Sequence, residues 1–436
     1  IARFFFLVSN TFGAPILPKH VFEGTDIRQN PANFKPVGTG AFRFVEYIKG
    51  DRIVYEKNPG YWRAGKPYAD KIIIKIIPNE ETAVLAIQNA EIDNLFWLRP
   101  ESFKKLQARP EIAVIMEQGT KAAPAITWLY FNLDHPALKN LKVRQAIAHA
   151  IDRTKIAQVA RLEIGGRAGV GPVCATSTWA YDPNLQPSYP YDPKKAEQLL
   201  DEAGFPRKEG GIRLKLALND LTGLVYNLDA EMIKDQLKVV GIEVDHQLLS
   251  LATANEALFN KREFDLGIRQ YFAGPDPSIA LLTTFHAEQI GKGTYTNAAG
   301  YKNPEADKLI LQAQIEADPT KRRQMMLDWQ KIIMTDLPGY PIIYDIMGHA
   351  VRKEWAGVPS NVWGSQTMRS ENIWWTKGTP IEVPKTTVTT PTTTTTVAPP
   401  APDMTTPTIA VVVIAIVAAA GLYVMRKRQA KPKAPP

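Results

Sequence analysis

The chain has one cysteine, Cys174, in 436 residues. One thiol forms no internal disulfide, so the fold must rest on its core alone. With no second cysteine and no histidine nearby, Cys174 also lacks the company that a metal ligand or reactive thiol needs. Histidine is scarce. His20, His135, His149, His246, His286 and His349 are scattered, without a His-Glu-x-x-His pair or a Cys or carboxylate neighbour at metal-ligand spacing. No Gly-x-Ser-x-Gly elbow is present. Gly38-Thr39-Gly40 lacks the third glycine of a dinucleotide fingerprint and leads into a strand. No Lys-Ser/Thr closes the glycine-rich stretch Gly165–Gly171, which reads as a plain surface loop rather than a phosphate cradle. The net charge is +8, but no run of Lys and Arg interleaved with aromatics appears in the body, which argues against nucleic acid. No Asn-x-Ser/Thr triplet occurs, so N-glycosylation is not expected. Paired carboxylates such as Asp201-Glu202 read as solvated helix charges. No cofactor, metal or catalytic residue is expected. Catalytic groups distant in sequence can still converge on a hydrolase site, but no motif argues for one.

Against these absences stands one long apolar run. Thr408–Met425 carries no charge and, as a helix, spans roughly 27 Å, close to the hydrocarbon thickness of a bilayer. Arg426, Lys427, Arg428, Lys431 and Lys433 follow it, and positive flanks stay cytoplasmic. The expectation is a single-pass anchor at 408–425, a basic cytoplasmic tail at 426–436 and a body outside the cell. Ahead of it, 377–407 is expected to be a stalk. Its Thr- and Pro-rich part, Lys385–Thr408, has too little apolar surface for a core, and its clustered Thr hydroxyls are candidate O-glycosylation sites. The chain starts at Ile1 without Met or a signal peptide. Because an outside body needs export, an upstream part is expected to be missing.

The body, of roughly 380 residues, exceeds one ordinary core and implies two lobes. Ala41–Tyr47 and Arg52–Lys57 predict a hairpin about Lys49-Gly50-Asp51. Lys71–Ile77 is dense enough in isoleucine to predict a strand buried on both faces. A helix over Glu80–Asn89, a strand at Trp128–Asn132 and one helix over Val143–Val159 follow. Tyr191-Asp192-Pro193 starts a helix that Gly204 stops. Strands at Ile212–Leu218, Ile242–Leu248 and Phe264–Arg269 alternate with helices at Asp229–Val240 and near Asn255–Asn260, which is an α/β pattern. Helices at Glu305–Ala317 and Thr320–Asp336 and a closing strand at Tyr340–Tyr344 complete it.

Several blocks resemble the extracellular solute-binding proteins of ABC importers, the dipeptide-, oligopeptide- and nickel-binding class known as solute-binding family 5. They are Ile16–Glu23, Pro36–Phe42, Asn58-Pro59-Gly60-Tyr61-Trp62, Lys66–Lys71, Glu91-Ile92-Asp93, Val143–Asp152, Tyr191–Phe205, Pro275-Asp276-Pro277 and Tyr301–Leu309. They run in family order over roughly residues 14–345, and the series is specific for family and fold more than for ligand.

The resemblance implies a two-lobed α/β fold of the periplasmic-binding-protein type (class II), closing on a ligand about a hinge. Lobe one would be 1–117, incomplete at its N-terminus, with a return at 346–376. Lobe two would be 118–345, with crossings near Gly119 and Met347. A C-terminal anchor behind a Thr-rich stalk is similar to archaeal members. The implied function is a surface-anchored, non-enzymatic binding component, expected as a monomer. It would capture peptides or oligosaccharides and pass them to an ABC permease with its ATPase subunits. A surface glycosidase and an adhesive or structural surface protein are the readings from other classes; the ordered blocks fit neither. Tyr271, Phe272 and Trp363 are the aromatic candidates for the ligand pocket. In peptide-binding members an acidic residue shortly before Asp-Pro pairs with the peptide's amino terminus. Here Gly274 stands at that place, and Asp276 matches a second acidic position expected to cap the next helix. The implication is a ligand that needs no free α-amine.

Overall fold

The structure, a computed structural model, describes residues 17–27, 29–96, 98–116, 125–162, 164–175, 177–222, 227–273, 276–346, 348–357 and 370–376. Gly119, Met347, Gly274, Trp363 and everything expected as stalk, anchor and tail lie outside the described residues.

Strands β1 (Phe42–Ile48) and β2 (Arg52–Lys57) form the expected hairpin, with Gly50 at φ +80° in its turn. That left-handed conformation suits glycine. β3 (Lys71–Lys75) joins β2 antiparallel and ends this three-stranded sheet. The expectation that it is buried on both faces is corrected. Ile72 and Ile74 turn inward, whereas Ile73 on the other face is 53% exposed. Successive side chains of a strand take opposite faces, and only one face of this sheet is covered.

Helix α1 (Glu80–Gln88) is capped by Asn79, whose side chain accepts from Thr82 N at 2.9 Å. Then come β4 (Asn94–Phe96), α2 (Pro100–Gln107) and β5 (Ile112–Met116). Val84, Ile87, Leu98, Phe103, Leu106 and Ile112 share one core.

The larger body begins at β6 (Ala125–Phe131), followed by α3 (Leu141–Ala150) and α4 (Arg153–Ala160). The expected single helix over 143–159 is therefore two. Ile151 is extended, and the Asp152 carboxylate accepts from Lys155 N at 2.9 Å, capping a new helix. β7 (Gly166–Ala168) corrects a second expectation: the glycine-rich stretch is no surface loop but an edge strand paired with a later one. A Cβ at Gly166 would lie 2.7 Å from Ile343 Cγ2, and one at Gly169 would lie 2.9 Å from Pro341 Cβ. Glycine is required there by close approach, not by mobility.

The order continues α5 (Pro193–Glu202), β8 (Leu214–Leu221), α6 (Asn227–Val239), β9 (Ile242–Leu249), β10 (Leu266–Phe272), α7 (Pro277–Phe285), α8 (Pro304–Ile315), α9 (Pro319–Asp336) and β11 (Gly339–Asp345). The central sheet runs β7-β11-β6-β10-β8-β9. One face packs Leu129, Ile147, Leu218, Ile233 and Ile268 in one cluster. The other buries Trp128, Tyr130, Tyr271, Phe285 and Trp329 in a second, with Cys174. Layers on both faces of a mixed sheet make this an α/β body.

From β11 the chain returns as β12 (Gly348–Arg352), inserted between β4 and β5. β13 (Trp355–Ala356) pairs with β14 (Trp374–Trp375), the last strand described. That final segment is held from several sides. Arg63 pairs with Glu371 at 3.2 Å, and Lys66 donates to Asn372. Thr376 N and Oγ1 both donate to Glu354 O, at 2.8 and 2.9 Å.

Candidate functional site

β8, β9 and β10 run parallel, and β11 shares their direction because both β10 and β11 lie antiparallel to β6. Leu221, Leu249, Phe272 and Asp345 therefore end at one edge of the sheet. In open α/β sheets ligands bind in the crevice outside the carboxyl ends of the strands.

A polar cluster lies at this end. The Asp345 carboxylate accepts from Thr127 Oγ1 at 2.6 Å, from Gln270 Nε2 at 2.8 Å and from Arg161 Nε at 2.7 Å. Arg161 turns its two terminal nitrogens to Asp229, at 2.8 and 2.7 Å. The Arg161 side chain is 1% exposed and that of Asp229 0%. The guanidinium fork matches two carboxylates at once, a geometry that lysine cannot reproduce. Burial pushes the Asp229 carboxyl up to about 6, against the pull of Arg161; Asp345 and Asp220 add to the rise. The Arg161 guanidinium is raised above its ordinary value, because the attraction of Asp345 and Asp229 outweighs the opposing effect of its burial, the largest single influence.

Beside it Asp220 accepts from Asn227 Nδ2 at 2.7 Å and from Leu221 N at 2.6 Å, and it faces His246 Nε2 at 3.1 Å. His246 Nδ1 lies 2.6 Å from Glu231 Oε1. Burial raises the Asp220 carboxyl, while the hydrogen bond from His246 lowers that of Glu231. Among the described residues no His/Cys/Asp/Glu group has the geometry to hold a metal ion. These carboxylates are committed to ion pairs and hydrogen bonds. Their chemistry is to fix positions at the sheet end.

The residues expected in the pocket fall in different places. Tyr271 is 4% exposed, donates its hydroxyl to Pro172 O at 2.9 Å, and meets Trp128 and Phe285 edge-on in the second cluster. Burial holds its phenol well above the ordinary range. Phe272, the next residue, takes the opposite face by strand alternation, with Gln270, and is half-buried at the sheet end. Asp276 accepts from Ser278 N at 3.1 Å and Ser278 Oγ at 2.7 Å, capping α7, and its other oxygen pairs with Arg322. Gly274 and Trp363 lie outside the described residues. Arg161, Asp229, Thr127, Gln270 and Asp345 were not singled out by sequence. No local pattern marks them, because they meet only across the sheet.

This architecture is a two-lobed α/β fold of the periplasmic-binding-protein type. The chain belongs to the bacterial extracellular solute-binding proteins of family 5. The family model "Bacterial extracellular solute-binding proteins, family 5 Middle" matches residues 4–292. The chain is 30% identical over 356 residues to the oligopeptide-binding protein AppA of Bacillus subtilis, covering 78% of this chain and 63% of that protein. It is 27% identical over 318 residues to heme-binding protein A of Haemophilus influenzae, covering 72% of this chain and 55% of that one. It thus spans less than two thirds of the length of either relative. The structure of the Bacillus subtilis AppA in complex with a nonapeptide superposes with a TM-score of 0.71 at 27% identity, over 83% of this chain and 72% of that one.

Proposed function

We propose that this protein is the substrate-binding component of an ABC importer, held at the cell surface, and that it captures peptides or oligosaccharides for a membrane permease and its ATPase subunits. The observation that carries this reading is the similarity, in sequence and in fold, to a solute-binding protein whose structure holds a nonapeptide. Relatives named for an oligopeptide and for heme have similar identity to this chain, so ligand class does not follow from family alone.

On this reading residues 1–117 with 346–376 form one lobe and 118–345 the other, and the ligand lies between them at the carboxyl ends of the central strands. Phe272 stands at the rim, where an aromatic ring can stack on a sugar or a side chain. Tyr271 supports it from the core, and Asp276 shapes the start of α7. Gly274 and Trp363 complete the proposed lining. Because Asp276 is engaged by Ser278 and Arg322, a peptide is gripped without its free amine. Residues 408–425, followed by the basic tail, supply the proposed anchor, and 377–407 the stalk. Among the described residues no helix is long and apolar enough to cross a membrane, and the apolar run lies outside them. The protein acts as a monomer.

Titration calorimetry on the body tests the ligand class. A nonapeptide, its N-acetylated form and malto- and cello-oligosaccharides are compared. Binding of at least one class supports the reading; heat from none of them overturns it.

A further inference from the structure

One turn of the large lobe is built into the other lobe. Ile164 packs with Ile92, Leu95 and Val114 against the cluster of Val84, Leu98, Phe103 and Ile112. Gly165 is buried against Pro100 of α2: a Cβ there would lie 2.6 Å from Pro100 Cγ and 3.4 Å from Arg161 O. The Gly165 carbonyl accepts from Ile346 N at 2.8 Å, where the chain leaves β11 for β12. Arg161 grips Asp345 one residue earlier, at 2.7 Å. On the far side Leu98 N donates to Gly348 O at 3.0 Å, and a Cβ on Gly348 would overlap Phe103. The same short stretch of chain is thus held by the large lobe at Asp345 and by the small lobe at Gly348.

We propose that the turn carrying Ile164 and Gly165 is a fixed pivot, a non-covalent attachment between the lobes about which they rotate. Pulling Ile164 out of its cluster would expose apolar surface, and parting Gly165 from Ile346 would leave a buried carbonyl without its donor. Rotation about the turn keeps both. The contact is too close for any side chain on residue 165, so the angle between the lobes depends on a single absent methyl. This inference builds on lobe motion in the proposed function, but its test needs no ligand and does not depend on what is bound.

The test measures inter-lobe distance by pulsed electron resonance in the full chain, with spin labels at Lys71→Cys and Lys308→Cys, both exposed positions. Gly165→Ala is compared with Gly171→Ala. A Cβ on Gly171 also overlaps a neighbour, but that neighbour is Leu185 of the same lobe. Gly165→Ala is expected to shift the mean label separation by several ångström, and Gly171→Ala to leave it in place. Pro100→Ala, which removes the obstructing Cγ and leaves the Pro100 Cβ 3.3 Å from the added methyl, is expected to reverse most of the shift when combined with Gly165→Ala. Ile164→Ala, which only removes volume, is expected to broaden the distribution. A Gly165→Ala distribution matching that of Gly171→Ala, a shift that Pro100→Ala does not reverse, or an unchanged width in Ile164→Ala would overturn the pivot.

Discussion

Arg161 and Asp229 meet in a two-pronged ion pair, Nη1 to Oδ1 at 2.8 Å and Nη2 to Oδ2 at 2.7 Å, 68 residues apart in the chain and shut away from solvent. The Nε of Arg161 donates to Asp345, so one cation serves two carboxylates. Arg161→Met leaves both carboxylates buried without their shared cation, with Asp345 keeping only its neutral donors Thr127 and Gln270. The expected loss is about 3–5 kcal/mol in urea unfolding. Arg161→Lys restores only part of it, since a single ammonium cannot span both acids. A loss under about 1 kcal/mol for Arg161→Met would contradict this account of the cluster.

The Asp229 carboxyl also sets a pH dependence. Its value in the fold, about 6, lies above the ordinary 3.8. Stability from the protonated form is therefore fully present below about 3.8 and lost as pH rises through 6. Arg161, Asp345 and Asp220 are the charged groups facing it. Relative to Asp229→Asn, which is neutral throughout, the wild type is expected to lose at most about 3 kcal/mol between pH 4 and pH 7. Parallel stability curves for the two proteins across that range would exclude Asp229 as the source.

Gly339 and Gly267 compare two kinds of close contact. A Cβ on Gly339 would overlap the Trp128 indole and lie 2.6 Å from the Leu129 carbonyl, whereas one on Gly267 would overlap only the end of Leu258. Both side chains are fully buried, but a leucine tip has other rotamers to yield into, whereas a rigid indole beside backbone has none. Gly339→Ala is expected at or beyond the upper end of the usual overpacking cost, about 1–3 kcal/mol, and Gly267→Ala at the lower end. Thermal melts of the two variants check the order.

Asp276→Asn removes an ion pair with Arg322 and weakens a helix cap. The expected cost is about 1–2 kcal/mol of stability, without loss of ligand binding. Calorimetry with a nonapeptide and its N-acetylated form should give similar affinities in both proteins. If acetylation and Asp276→Asn each abolish binding, the carboxylate holds the peptide amine and the proposed ligand reading fails.

The anchor is checked on membranes. Alkaline carbonate is expected to leave the protein in the pellet, because the proposed span at 408–425 is held by apolar burial rather than charge. Protease added to intact cells is expected to release the body. Release by the wash alone would rule out the span.

Elements governed by local chemistry were legible from sequence. β2 runs from Arg52 to Lys57 as its apolar and turn residues indicate. α5 opens at Pro193 behind Asp192, whose carboxylate accepts from Lys195 N, and Gly204 at φ +86° follows its end. What depends on distant chain was not legible. Gly166 and Gly169 read as a loop because their reasons, Ile343 and Pro341, lie far along the sequence. Arg161 and Asp345 are 184 residues apart, and a buried ion pair leaves no periodicity behind it. The capping role of Asp276 was implied by the family resemblance, but its pairing with Arg322 was not. Tyr271 and Phe272 read alike as aromatics; only strand alternation and the packing of Trp128 separate a core residue from one half-buried at the sheet end.

The fastening of residues 370–376 has a mechanical meaning. Any load applied to the chain beyond Thr376 is delivered first to Glu354, and through the Arg63–Glu371 pair and the β13–β14 ribbon to the small lobe. The large lobe receives none of that load through these contacts. On the proposed division into lobes, a body tethered by this end would be gripped by one lobe, and the other would be left to swing.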